Sequence, residues 1–165
     1  MIVERDKKAF DYKQFWSFRE RAVGRLMGRL KRHFDSIIEP RLHEMGFTDF
    51  KLSYMGFLAN LTPEGITNNE LAKRACVTKQ AMSKVVSLLE SEGYIHMEKN
   101  HNDSRSSVIH LSSRGEALLR AVFDSVDDVQ QQFIGVVGNE RWEQMIDTMV
   151  VLVQHIDQQA DQQQP

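Results

Sequence analysis

Between Tyr12 and Glu39, Phe15, Phe18, Ala22, Leu26, Leu30, Phe34, Ile37 and Ile38 recur at steps of three and four, the spacing of one helix face. Pro40 disfavours continuation, so the helix is expected to end there. Gly24 and Gly28 sit one turn apart inside it, each costing about 1 kcal/mol relative to alanine. A second helix is expected over about Ser53–Leu61, with Tyr54, Phe57, Leu58 and Leu61 on one face, broken by Thr62-Pro63-Glu64-Gly65. Thr67-x-x-Glu70 reads as a capping box opening a short helix with Leu71, Ala72 and Ala75.

After the break at Cys76-Val77, Thr78 is the next N-cap. Met82, Val85, Val86 and Leu89 then mark the buried face of a helix ending at Gly93. Residues 94–99 and 106–111 read as the two strands of a hairpin, with 100–105 as its polar tip. Ser112 or Ser113 caps a fifth helix carrying Leu118, Leu119, Val122, Phe123, Val126, Val129 and Phe133 to about Val137. Gly138-Asn139 separates it from a sixth with Trp142, Met145, Ile146, Met149, Val150, Val153 and Ile156. The expected fold is mainly α, about six helices and a two-stranded wing. The expected organisation is an N-terminal helix and connection (1–50), a central lobe (51–115), C-terminal helices (116–158) and a disordered Gln-rich tail (159–165).

Composition narrows the class. The chain has 165 residues, 41% hydrophobic and 27% charged, as in an ordinary globular protein. One cysteine excludes an internal disulfide framework and a Cys-rich zinc site. The charged N-terminus has no apolar core of a secretion signal. The apolar run 149–153 is too short to span a bilayer, so no membrane partner and a cytoplasmic location are expected. No phosphate loop, His-Glu-x-x-His or nucleophile elbow is present, so the chain does not read as an enzyme and calls for no cofactor.

The net charge of −2 argues against bulk coating of nucleic acid, but the charge is uneven. Residues 1–66 hold 12 basic and 9 acidic side chains, 67–115 hold 7 and 5, and 116–165 hold 2 and 9. The mild positive charge covers the capped helices and the hairpin, and the acidic excess lies on the last two helices.

Short helix, tight turn, longer helix and charged hairpin in this order form a winged helix-turn-helix pattern. A helix entering the major groove needs an apolar face to seat it and a polar face to read bases. Residues 78–93 supply both. Thr78 caps the helix. Lys79 and Lys84 suit phosphates, Gln80 has the paired donor and acceptor that match adenine, and Ser83 and Ser87 are short enough for close approach.

The run Asn69–Val86, continuing through Leu88–Ile95, closely resembles the multiple-antibiotic-resistance-regulator (MarR) family. Asp103-Ser104-Arg105 matches the family's Asp-x-Arg at the wing tip, and Val108–Gly115 resembles its strand and helix entry. The resemblance implies a homodimeric regulator, usually a repressor, on a palindromic double-stranded operator. It assigns dimerisation to the first, fifth and sixth helices, minor-groove insertion to Arg105, and the holding of Arg105 to Asp103. A narrow minor groove does favour an inserted arginine. It further implies a small aromatic or amphipathic effector, for which Phe15, Trp16, Phe18, His33, Phe34 and Tyr54 are candidate lining residues. Cys76 departs from the family, which commonly has glycine at this turn. His96, His101 and His110 cluster around the hairpin but are expected to face solvent or DNA rather than a metal. The alternative is a winged-helix protein-interaction module without DNA binding, whose acidic or apolar replacements at Lys79, Gln80, Ser83, Lys84 and Arg105 are absent.

Overall fold

The computed structural model describes residues 10–99 and 106–162. Two compact units divide between Ser36 and Ile37. In the first, Asp11 caps α1 (Tyr12–Arg21) by accepting from Gln14 N at 3.0 Å. No residue of α1 is buried in the chain, and Phe10, Tyr12, Phe15 and Trp16 form a chain of ring contacts along it.

The expected single helix is two. Ala22 turns extended (ψ 110°), and α2 runs from Val23 to Glu44. With no buried face on α1 and Gly24 two residues on, neither packing nor propensity holds the helix straight there. Pro40 does not stop α2 either. The ring removes one N–H, but Ile38 and Leu42, one turn apart, are both buried, and their packing carries the helix onward. It ends where Gly46 takes φ +92° and its N–H bonds to His43 O.

In the second unit, a single 3-10 turn (Leu52–Tyr54) leads into α3 (Met55–Leu58), shorter than the periodicity implied. β1 (Ile66–Thr67) precedes α4 (Asn68–Arg74), and α5 (Lys79–Ser91) precedes β2 (Ile95–Lys99) and β3 (Ser107–Leu111). The sheet is antiparallel in the order β1-β3-β2, with Ile66 opposite Ile109 and His96 opposite His110. The third strand is a correction to the two-stranded expectation: two residues are too few to show alternation, and only pairing with β3 defines them.

The core gathers Leu58, Leu71, Met82, Val86, Leu89, Ile95, Ile109 and Leu118, each buried. Full burial of such a side chain contributes about 1.5–3 kcal/mol. Ser112 is the N-cap of α6 (Ser113–Val137), accepting from Gly115 N at 3.0 Å and donating to Gly93 O at 2.5 Å. After Gly138 (φ +83°), α7 runs from Asn139 to Gln162. It passes the expected end near residue 158, since nothing in Gln-Gln-Ala-Asp-Gln breaks a helix.

Candidate nucleic-acid interface

Two threonines start the helices that form the candidate interface. Thr67 Oγ1 accepts from Glu70 N at 3.3 Å, and Thr78 Oγ1 accepts from Ala81 N at 3.2 Å. The reciprocal half of the first capping box is replaced: the Glu70 carboxylate pairs with Arg74 Nε at 3.3 Å.

The turn between these helices passes through Cys76 at φ +51°, the one non-glycine residue with positive φ among those described. A side chain there meets the following carbonyl, which costs about 1–2 kcal/mol. That accounts physically for the glycine the family favours at this position. Cys76 itself is exposed.

α5 is fixed in rotation by Met82, Val86 and Leu89, all buried. Its opposite face is open: Thr78, Lys79, Gln80, Ser83, Lys84 and Ser87 are all solvent-exposed. Asn68, at the start of α4, joins this face. Its Nδ2 donates to Ser83 Oγ at 3.0 Å, and Ser83 Oγ donates to Lys79 O at 2.9 Å. A cleft of about 310 Å³ lies beside them, lined by Asn68, Lys79, Ser83 and Ser87 and by Met97 and Ser107 of the wing strands. Asn68 is absent from the sequence-derived set. Its place just after the Thr67 cap was a visible signal, but its partner lies 15 residues on.

Asp103, Arg105 and His101 lie outside the described residues. His96 and His110 stack across the strands with ring centres 5.5 Å apart, and His96 Nε2 is 3.4 Å from Glu98 Oε1. Among the described residues no group of three or more His, Cys, Asp or Glu side chains is arranged to hold a metal ion.

The aromatic candidates are divided between the two units. Phe15, Trp16, Phe18 and His33 are exposed and Phe34 half-buried in the first; Tyr54 is half-buried in the second, its ring 6.3 Å from that of Phe50. The Arg19 guanidinium lies 4.4 Å over the Trp16 ring.

Behind α5 a polar network locks the lobe. Tyr94, fully buried, donates its hydroxyl to Asp49 Oδ1 at 2.5 Å. Arg114 donates to the same oxygen at 2.9 Å, covers the Tyr94 ring at 4.4 Å and donates to the Glu92 carbonyl. Burial pushes the Asp49 carboxyl up, but the Tyr94 hydroxyl, a backbone N–H and Arg114 together outweigh it and hold it below its ordinary value. Burial, then the neighbouring Asp49 charge, pushes Glu92 up. Burial and the hydrogen bond to Asp49 push the Tyr94 hydroxyl up as well.

Two helices meeting at the left-handed Cys76 turn, backed by an antiparallel wing, make this a winged helix-turn-helix protein. The model of the MarR family matches residues 62–107, from the loop after α3 to the first residue of β3. Over this segment the chain is similar to the MarR family.

Among curated relatives, the HTH-type transcriptional regulator FarR of Neisseria gonorrhoeae is 27% identical over 103 residues, covering 62% of this chain and 68% of FarR. Other curated relatives are matched over a little more than half their length, 56–58%. The fold is similar to that of the S. aureus MepR–DNA complex (TM-score 0.62, 19% identity, 89% of this chain and 99% of that one). It is also similar to the PcaV transcriptional regulator from Streptomyces coelicolor, solved in complex with its natural ligand (TM-score 0.61, 17% identity, 89% and 97%). Among the described residues, no helix is long and apolar enough to cross a membrane.

Proposed function

We propose that this chain is a homodimeric transcriptional repressor of the cytoplasm. It binds a pseudo-palindromic operator with α5 of each protomer in the major groove. One observation carries the reading. The exposed row Thr78, Lys79, Gln80, Ser83, Lys84 and Ser87 lies on a helix seated by three buried apolar residues, the division of faces that groove entry requires. The wing tip brings Arg105 to the minor groove, with Asp103 holding it. The DNA partner is supported by the likeness to MepR, whose structure was solved with DNA.

Dimerisation is supported by apolar side chains left uncovered in the single chain. On α7, Val150, Val151, Leu152, Val153 and Ile156 are all exposed, and Phe123 and Val136 on α6 are too. Large apolar side chains left exposed in this number support an association surface. A small aromatic or amphipathic effector shifts the dimer away from the DNA-competent state. The likeness to PcaV, solved with its natural ligand, supports an effector of this kind.

Two measurements on the purified chain test the reading. Sedimentation is expected to give a dimer. Selection of duplexes from a random pool is expected to enrich a palindrome with half-sites about one helical turn apart. A monomer at micromolar concentration, or a pool that stays random at low salt, overturns it.

A further inference from the structure

The hydroxyl proton of Ser83 is already committed inside the protein. A serine hydroxyl has one proton to donate and two lone pairs to accept with. Ser83 Oγ donates to Lys79 O at 2.9 Å and accepts from Asn68 Nδ2 at 3.0 Å. One lone pair is left for the exposed side. If the amide were turned over, the proton would still go to Asn68 or to Lys79 O, and nothing would remain to donate outward.

We propose that Asn68, on α4, is a positioning residue for DNA readout. It presents Ser83 Oγ to the major groove as an acceptor only, so Ser83 meets the exocyclic amino group of an adenine or cytosine and not a phosphate. The inference rests on the DNA-binding reading above. Phosphate oxygens only accept hydrogen bonds, so a serine without a free proton gains nothing from them. In the major groove the base-edge donors are adenine N6 and cytosine N4. Lys79 and Lys84, on the same exposed face, bring the phosphate-binding charge.

A second observation sets Asn68 apart from a residue kept for stability. Its Oδ1 is buried without a hydrogen-bond partner among the described residues. A buried unpaired amide oxygen costs stability. A small apolar residue at this position avoids that cost, so the amide is explained by what its Nδ2 does to Ser83. The same reasoning says that Asn68→Ala folds.

The test uses the full chain and its selected operator, with every base pair of one half-site varied in turn. Wild type is expected to favour, at one position, a base pair presenting adenine or cytosine to Ser83, by roughly three- to tenfold. Ser83→Ala flattens the preference at that position alone. Asn68→Ala flattens it at the same position, with a melting temperature no lower than wild type and an unchanged slope of log affinity against log salt. Ser83→Thr, which keeps the hydroxyl, retains it. The proposal is overturned if Ser83→Ala weakens all sequences alike and lowers the salt slope, as loss of a phosphate contact does. It is equally overturned if Asn68→Ala leaves the preference intact. A wild type that selects no sequence is a separate result, and it removes the DNA-binding reading itself.

Discussion

The Arg114 guanidinium lies 4.4 Å above the Tyr94 ring. Through this stack, and the carboxylate of Asp49 that both residues share, the first turn of α6 is tied to the end of α5 and to the loop before α3. The orientation of the exposed α5 face therefore depends on residues far from it in sequence. Arg114→Ala removes a cation–π contact, an ion pair and a bond to the Glu92 carbonyl. It is expected to lower stability by about 1–3 kcal/mol, with the ion pair contributing least because both partners are over a third exposed. Tyr94→Phe, which loses only the hydroxyl, is expected to cost about 1–2 kcal/mol. Urea midpoints at constant m-value check both.

The two carboxylates of this network pull in opposite directions with pH. Asp49 is held below its ordinary value, so its contribution is complete above its unfolded pKa and lost as pH falls through the folded one. Glu92 is pushed up, so its charged form costs stability at neutral pH, and the cost vanishes as pH falls through the raised value. Stability is therefore expected to rise slightly on mild acidification and then fall. Glu92→Gln should raise the urea midpoint at pH 7 and abolish the rise; Asp49→Asn should blunt the fall. A Glu92→Gln midpoint below wild type at pH 7 contradicts the assignment.

Gly115 has no room for a methyl group. A Cβ there would stand 2.1 Å from the Tyr94 carbonyl oxygen, a backbone atom that accepts from Ser112 N. Gly115→Ala is expected to cost about 2 kcal/mol or more, since the junction of β2 and α6 must move to relieve the clash. A thermal melt within a degree of wild type would falsify this packing argument.

Cys76 carries strain that glycine lacks. Cys76→Gly relieves about 1–2 kcal/mol of left-handed cost and adds back about 0.5–1 kcal/mol of chain entropy. The expected net is a gain of about 0–1.5 kcal/mol, while Cys76→Val should lose stability. Paired chemical denaturation curves of the two variants read the sign directly.

Much of the lobe was legible because its signals are local. The Met82-Val86-Leu89 face and the Thr67 and Thr78 caps need only residues within a turn or two of one another, and all appear in the structure. The exposed set on α5 follows once that buried face is fixed. What stayed hidden depends on partners distant in sequence. β1 is defined by Ile109 and Val108, more than 40 residues away. The Asn68–Ser83 bond crosses between two helices, and the Asp49–Arg114 pair spans 65 positions. The helix running through Pro40 was misread because proline is a local signal, whereas the burial of Leu42 that overrides it is tertiary.

The central claim is that the exposed face of α5 reads DNA. Its most direct test is the affinity of wild type, Lys79→Ala, Lys84→Ala and Gln80→Ala for the selected operator and a scrambled duplex at several salt concentrations. Wild type should prefer the operator. Each lysine substitution should weaken both duplexes alike and reduce the salt slope by about one. Gln80→Ala should instead relax preference at one base pair with the slope unchanged. Equal wild-type affinity for operator and scrambled DNA, with all three variants indistinguishable from it, would contradict the account.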